Sequence, residues 1–369
     1  MKVPMLDLTE QYQSIKEEVN ASMEDVMSNA HFILGSNVKQ LEETVSNMSD
    51  IGFGVGVANG SDALHLSLLA CGVEPGDEVI VPAFTFFATG GAVARIGAVP
   101  VFADIDPKTF NIDPDSIRKA ITEKTKAIIP VHLYGQMADM EEISAIAKEK
   151  NLAVVEDAAQ AIGSKLNNIG VGQFGTTATY SFFPTKNLGA YGDGGMVVTN
   201  DEGIAEKLKV LRVHGSKPKY YHHVLGYNSR LDELHAAVLN IKVKYLSEWT
   251  EMRRENANYY SELLKTVDEV KTPYIAENSY HVFHQYTLRV NKRDELQEFL
   301  KENGIATMIY YPMPLHLQPV FGELGYKEGD LPVTEEACKE ALSLPMFPEL
   351  KREQQEYVVN KIKEFYAKG

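Results

Sequence analysis

Between residues 53 and 200 the chain alternates short apolar runs with helical patterns. The runs are FGVGVAN, EVIVPAF, PVFADI, KAIIPVHL, LAVVEDAA, TATYSFF and GGMVVT, and segments such as SDALHLSLLACG and ADMEEISAIAKEKN lie between them. Continuous Val and Ile runs are what strands buried on both faces require, and intervening helices supply the crossovers of a parallel sheet. The expected fold class is α/β: a large domain over residues 1–245 with a mainly parallel central sheet flanked by helices. The stretch YNSRLDELHAAVLNIKVKYLSEWTEMRRENANYYSELLK reads as a long charged helix leaving that domain. After it, HVFHQYTLRV reads as a strand, KRDELQEFLKENG as a helix stopped by Gly304, and KREQQEYVVNKIKEFYAKG as a closing amphipathic helix. Residues 246–369 are expected to form a smaller α+β C-terminal domain, with residues 1–12 packed on it.

Composition narrows the function classes. Of 369 residues, 44% are apolar and 24% charged, enough to bury a large core. A net charge of −15, from 36 basic and 51 acidic side chains, argues against a nucleic-acid binder, and no basic recognition helix stands out. Cys71 and Cys338 lie far apart and in no CxxC spacing, so neither a disulfide framework nor a thiolate metal site is expected. The start turns acidic before any apolar core of signal-peptide length, and no run reaches membrane-spanning length. A cytoplasmic protein without metal or membrane contact is the expectation.

Three features fall at the carboxyl ends of expected strands, where open α/β sheets bind ligands. In VANGSDALHLSLL, Gly60 and Ser61 open a helix whose free N–H groups suit a phosphate. In LAVVEDAAQAIGS, Asp157 ends a strand and Gln160 follows three residues later, so the carboxylate can pair with a protonated ring nitrogen. In SFFPTKNLGAYGDGGMVVT, Lys186 follows a strand end, and Ser181 on the same segment can donate to a phosphate. Each alone reads as well as a helix cap or a snorkelling lysine. In this order, a phosphate cradle, a strand-end carboxylate and a reactive amine are what pyridoxal 5′-phosphate (PLP) requires. The carboxylate keeps the pyridine ring protonated as an electron sink; the lysine holds the aldehyde and shuttles the proton.

The motifs VPMLDLTEQY, NGSDAL, EVIVPAFTFFAT, VVEDAAQAIGS, SFFPTKNLGAYGDGGMVVT and GYNSRLDELHAAVL resemble the DegT/DnrJ/StrS family of nucleotide-sugar aminotransferases, of the aspartate aminotransferase fold (fold type I). The resemblance implies a PLP enzyme with pyridoxamine phosphate (PMP) as its intermediate form. It makes Lys186 and Asp157 catalytic, sets Gln160 by the phenolic oxygen, and puts Gly60, Ser61 and Ser181 at the phosphate. It implies Phe86 (with Phe84 as the alternative) stacking on the ring, and a homodimer in which Asn228 reaches the neighbour's phosphate. Tyr221, His222, His223, Tyr311 and His316 become sugar-nucleotide contacts. The implied reaction moves an amino group from L-glutamate to a nucleotide-linked keto-sugar, most closely a dTDP-3-keto-6-deoxyhexose, giving a dTDP-3-amino-3,6-dideoxyhexose. The GDGG turn, where the carbon-4 branch more often has GEGG, favours carbon 3. UDP-linked 3-keto or 4-keto sugars and a PLP/PMP-dependent dehydration are the alternatives; the dehydratase branch has His where this chain has Lys186.

Overall fold

The computed structural model describes residues 1–367. All seven expected strands form, and they join one sheet in the order β1-β9-β8-β5-β4-β2-β3. These are β1 (Phe53–Val57), β2 (Glu78–Pro82), β3 (Val99–Ala103), β4 (Thr125–Ile128), β5 (Ala153–Asp157), β8 (Thr177–Ser181) and β9 (Gly195–Thr199). Only β9 runs against its neighbours; the pairs β2·β3, β2·β4, β4·β5 and β5·β8 are parallel. A small sheet is made of β6 (Lys165–Leu166), β7 (Ile169–Gly170) and β11 (Ser279–Tyr280). A third comprises β10 (Val270–Lys271), β12 (Tyr286–Val290) and β13 (Ala341–Leu344).

The unbroken apolar runs are explained by what covers the large sheet. Side chains alternate between faces along a strand, and here both faces are buried. Ile80, Ile128, Val154, Ala178 and Met196 meet one core, with Val38 and Leu41 of α2 (Ser36–Asn47) and Ile143 of α6 (Met140–Lys150). Val79, Val81, Ala127 and Val155 meet the other, with Leu64 and Leu68 of α3 (Gly60–Ala70) and Val93 of α4 (Phe87–Arg95). A separate core gathers Tyr286, Leu288, Leu342 and Leu344 of the third sheet with Tyr260, Leu296 and Val358. Val3 belongs to this second core: its N–H donates to Gly304 O at 2.9 Å and its carbonyl accepts from Ala306 N–H at 2.9 Å. The cores do not part at a single residue, since Leu315, Phe321 and Leu331 pack on the large sheet.

The expected long helix is two helices: α8 (Glu233–Lys242) and α9 (Leu246–Leu264), joined by a 3-10 turn over Val243–Tyr245. The turn is pinned to α1 (Thr9–Asn29), because Lys244 Nζ lies 3.2 Å from Glu18 and Tyr245 Oη donates to the same carboxylate. Of the other C-terminal helices, α10 (Arg293–Glu302) and α12 (Arg352–Ala367) lie where the periodicity puts them, with Gly304 at φ +77° following the first, whereas α11 (Pro332–Glu340) was not expected.

Glu233, 2% exposed, ties α8 to the start of α2. Its carboxylate accepts the N–H groups of Gly35 (2.7 Å), Asn37 (3.0 Å) and Val38 (2.9 Å) and the Asn37 side-chain amide (3.0 Å). An acid from a distant helix therefore does the work of an N-cap. Glu233→Ala leaves the buried Val38 N–H and the part-buried donors of Gly35 and Asn37 unpaired, with an expected loss of about 3 kcal/mol in chemical denaturation; a loss below about 1 kcal/mol would show that water replaces the carboxylate.

Candidate active site

A cavity of about 1070 Å³ opens at the carboxyl ends of β1, β2, β5 and β8. Its first corner is the start of α3. Asn59 caps this helix, its Oδ1 accepting the Asp62 N–H at 2.8 Å, so Gly60 and Ser61 reach the cavity on a helix N-terminus. Such an end carries unpaired N–H groups and partial positive charge. Ser181, the last residue of β8, lies alongside. A Cβ on Gly60 would stand 2.7 Å from Ser181 Cβ, so only glycine permits this approach. Helix start and two hydroxyls thus make a cradle for a phosphate.

The loop after β2 supplies the next wall. Phe86 is 58% exposed and lines the cavity, whereas Phe84 is 1% exposed and stacked on Phe110, ring centroids 5.5 Å apart. Phe86 is therefore the aromatic face available to a planar ring, with Tyr311 at 6.2 Å between centroids.

Asp157 ends β5 and is 5% exposed. Burial raises its pKa, while the Thr89 hydroxyl, the Ala159 N–H and the charge of Lys186 oppose the rise. The bonds are Thr89 Oγ1 to Oδ2 at 2.8 Å and Ala159 N to Oδ1 at 3.2 Å. Gln160 is locked nearby, its Oε1 accepting the Tyr134 N–H at 2.7 Å and its Nε2 donating to Tyr311 Oη at 3.2 Å. Its amide therefore offers the cavity a donor.

Lys186 lies in the turn after β8, its own N–H donating to Phe183 O at 2.9 Å. Burial pulls its amine down to about 8, against the attraction of Asp157. Near neutral pH a useful fraction is therefore uncharged and nucleophilic. His284 completes this side: its Nδ1 is 3.1 Å from Asn187 Oδ1, and burial together with the Lys186 and Arg253 charges holds it well below the usual imidazole range. It faces the cavity as a neutral ring.

Not every expected contact reaches the cavity. His316 is 1% exposed and bonded to Glu335 at 3.2 Å, spent inside the fold rather than on a ligand. Tyr221, His222 and His223 sit on an exposed loop outside the cavity of their own chain. The two imidazoles are taken up by the loop's carbonyls, His214 O and Lys217 O, each at 2.8 Å. Asn228 is exposed and also outside that cavity. Conversely, Thr85, Thr89 and His284 went unread in the sequence. A Thr pair spaced i, i+4 at the start of an otherwise apolar helix was the available signal for the first two; His284 carried none.

The fold and cavity define a PLP-dependent aminotransferase. This chain belongs to the DegT/DnrJ/EryC1/StrS aminotransferase family, which it matches over residues 13–363. It is similar to a "pleiotropic regulatory protein" of Geobacillus stearothermophilus, 66% identical over 99% of both chains. It is 47% identical to the UDP-N-acetyl-3-dehydro-α-D-glucosamine 3-aminotransferase of Acidithiobacillus ferrooxidans, over 95% of each. It is 43% identical to the dTDP-3-amino-3,6-dideoxy-α-D-galactopyranose transaminase of Aneurinibacillus thermoaerophilus, over 98% of this chain and 99% of that one. Among solved structures, DesV of Streptomyces venezuelae, captured with a ketimine intermediate, superposes with a TM-score of 0.96 at 40% identity, covering 99% of this chain and 98% of that one. No helix among the described residues is long and apolar enough to cross a membrane.

The lowered amine is directly measurable. In cofactor-free protein, Lys186 is expected to resist acylation below pH 8, where it holds its proton, and to react increasingly above it, with a midpoint near 8. Lys242 is buried and also drawn down to about 8, so acylation is read at Lys186 itself by peptide mass, and its midpoint must persist in Lys242→Met. A midpoint near that of a free lysine would contradict the burial described.

Proposed function

We propose that this chain transfers the amino group of L-glutamate to carbon 3 of a nucleotide-linked keto-sugar, most closely a dTDP-3-keto-6-deoxyhexose, yielding a dTDP-3-amino-3,6-dideoxyhexose. The observation that carries the proposal is that Lys186 and Asp157, a lowered amine and a buried carboxylate, line one cavity at the carboxyl edge of the sheet. PLP bound there supplies an electron sink and an aldehyde that exchanges amino groups. Gly60, Ser61 and Ser181 bind its phosphate, Phe86 covers one face of its ring and Gln160 donates to its phenolic oxygen. Asp157 pairs with the ring nitrogen and keeps it cationic. Lys186 would hold the PLP aldehyde, and its Nζ, when free, would be the base and acid that carries the proton in both half-reactions. Tyr311 closes the cavity over the sugar.

The carbon-3 assignment draws on two relatives whose names both place the amine at carbon 3, one on a dTDP-sugar and one on a UDP-sugar. The higher identity of the UDP-sugar enzyme favours a second reading, a UDP-linked 3-keto-sugar as acceptor. The regulatory name of the 66% relative asks for no such cavity, and a net charge of −15 is poorly suited to DNA.

Lys186→Ala is expected to abolish turnover and the visible absorbance of bound cofactor, and Asp157→Asn to slow turnover by about 10²–10³-fold, the scale of losing one preorganised charge. An unchanged cofactor spectrum in Lys186→Ala would end the assignment. A panel of dTDP- and UDP-linked 3-keto- and 4-keto-sugars, assayed with L-glutamate, decides the acceptor; preference for a UDP-sugar would replace the dTDP reading by the second.

The exposure of Asn228 outside its own cavity supports a homodimer with shared sites, Asn228 serving the partner's phosphate. Inactive Lys186→Ala and impaired Asn228→Ala proteins should therefore regain activity when mixed and allowed to exchange subunits, because each hybrid dimer holds one site with both residues intact. No gain on mixing, with exchange shown by mass, would place Asn228 outside the reaction.

A further inference from the structure

Thr89 is fully buried in the first turn of α4, among residues that are otherwise small or apolar. A threonine hydroxyl there needs a partner, and it has two. Its Oγ1 lies 2.8 Å from Asp157 Oδ2 and 3.1 Å from Thr85 Oγ1. The directions of these bonds follow from proton count. An ionised carboxylate only accepts, so Thr89 gives its single proton to Asp157; its oxygen must then accept from Thr85. The result is a chain of two hydroxyls polarised toward the carboxylate, each bond strengthening the next. The Ala159 N–H occupies the other oxygen. Each carboxylate oxygen thus keeps a lone pair for the cavity, and the plane of the group is set from behind. The same turn places Phe86: the Thr89 N–H donates to Phe86 O at 3.2 Å. One helix start therefore orients both the aromatic wall and the acid.

We propose that Thr89 is a positioning residue for the cofactor: backed by Thr85, its hydroxyl fixes the direction of Asp157 and keeps it anionic, and so sets how tightly the site holds a protonated pyridine ring. This rests on the reading of Asp157 as the ring-nitrogen partner. Lys186 and His132 are the other groups whose charge would favour the anion, and Tyr311 the one that would oppose it.

The test compares two ligands for the cofactor-free protein: PLP, and its deaza analogue, which has carbon in place of the ring nitrogen. Thr89→Val keeps the shape and removes the donor. It is expected to weaken PLP binding by about tenfold, the usual scale of a hydrogen bond to a charged group, and to leave the analogue within about twofold. Thr89→Ser should restore PLP binding. Equal weakening of both ligands, or of neither, overturns the proposal, since a merely structural threonine would not distinguish them. Thr85→Val, which removes only the outer hydroxyl, should show the same selectivity at smaller size, and supplies the decision should Thr89→Val not fold. Asp157→Asn separates the two readings. If it weakens PLP selectively and Thr89→Val does not, only the present inference fails; if it shows no selectivity, the reading of Asp157 fails with it.

Discussion

A buried carboxylate and a half-buried amine share one cavity, and the surrounding fold makes that arrangement tolerable. Burial alone favours the neutral form of each. For Asp157 the tendency is opposed by two donors supplied from the rigid frame, one from α4 and one from its own loop. An ammonium needs acceptors instead, and for Lys186 the opposing influence is the charge of Asp157 itself. The asymmetry has chemical sense. A site that holds its acid firmly and its amine loosely asks for a cation beside the first and an electrophile beside the second.

The frame supplies this through the sheet. Parallel strands end together, so residues remote in sequence arrive at one edge, and the reversed β9 brings its first residue back to the same place. There Gly195 passes so close that a Cβ would stand 2.5 Å from the Asn59 backbone carbonyl. The opposite wall comes from the second core. Arg253 of α9, buried and drawn down to about 10, donates to the carbonyls of Phe283 (3.2 Å), His284 (3.4 Å) and Met346 (3.1 Å). A buried guanidinium that donates to carbonyls, with the Glu349 charge nearby, is costly to disturb. It holds His284 and Met346 in place as parts of the cavity wall.

Much of this was legible in the chain. Strands buried on both faces announce themselves as unbroken Val and Ile runs, and residues at their ends, Asp157 and Lys186 among them, inherit a location. Strand order was not legible, because one buried run looks like another. Nor was the break after Lys242, where no proline or glycine marks the turn and the cause is tertiary, the grip of Glu18 on Lys244 and Tyr245. His316 misled because a histidine between tyrosines and prolines looks like a ligand contact, and nothing local reveals that Glu335 takes it inward. Thr89 went unread for the converse reason: its spacing from Thr85 was visible, but the carboxylate the pair serves lies on another strand, and only contact in space shows it.

The pairing of Val3 with Ile305 has a kinetic consequence. Closing a loop of that length is entropically expensive, and such a contact gains nothing until the segments it joins are already structured. Met5 to Thr9, which follow directly and line the cavity, are thus set down on an existing surface rather than helping to nucleate it. A chain arrested late in folding would hold the large-sheet core and a cavity short of one wall; the final docking of residues 5–9 supplies that wall.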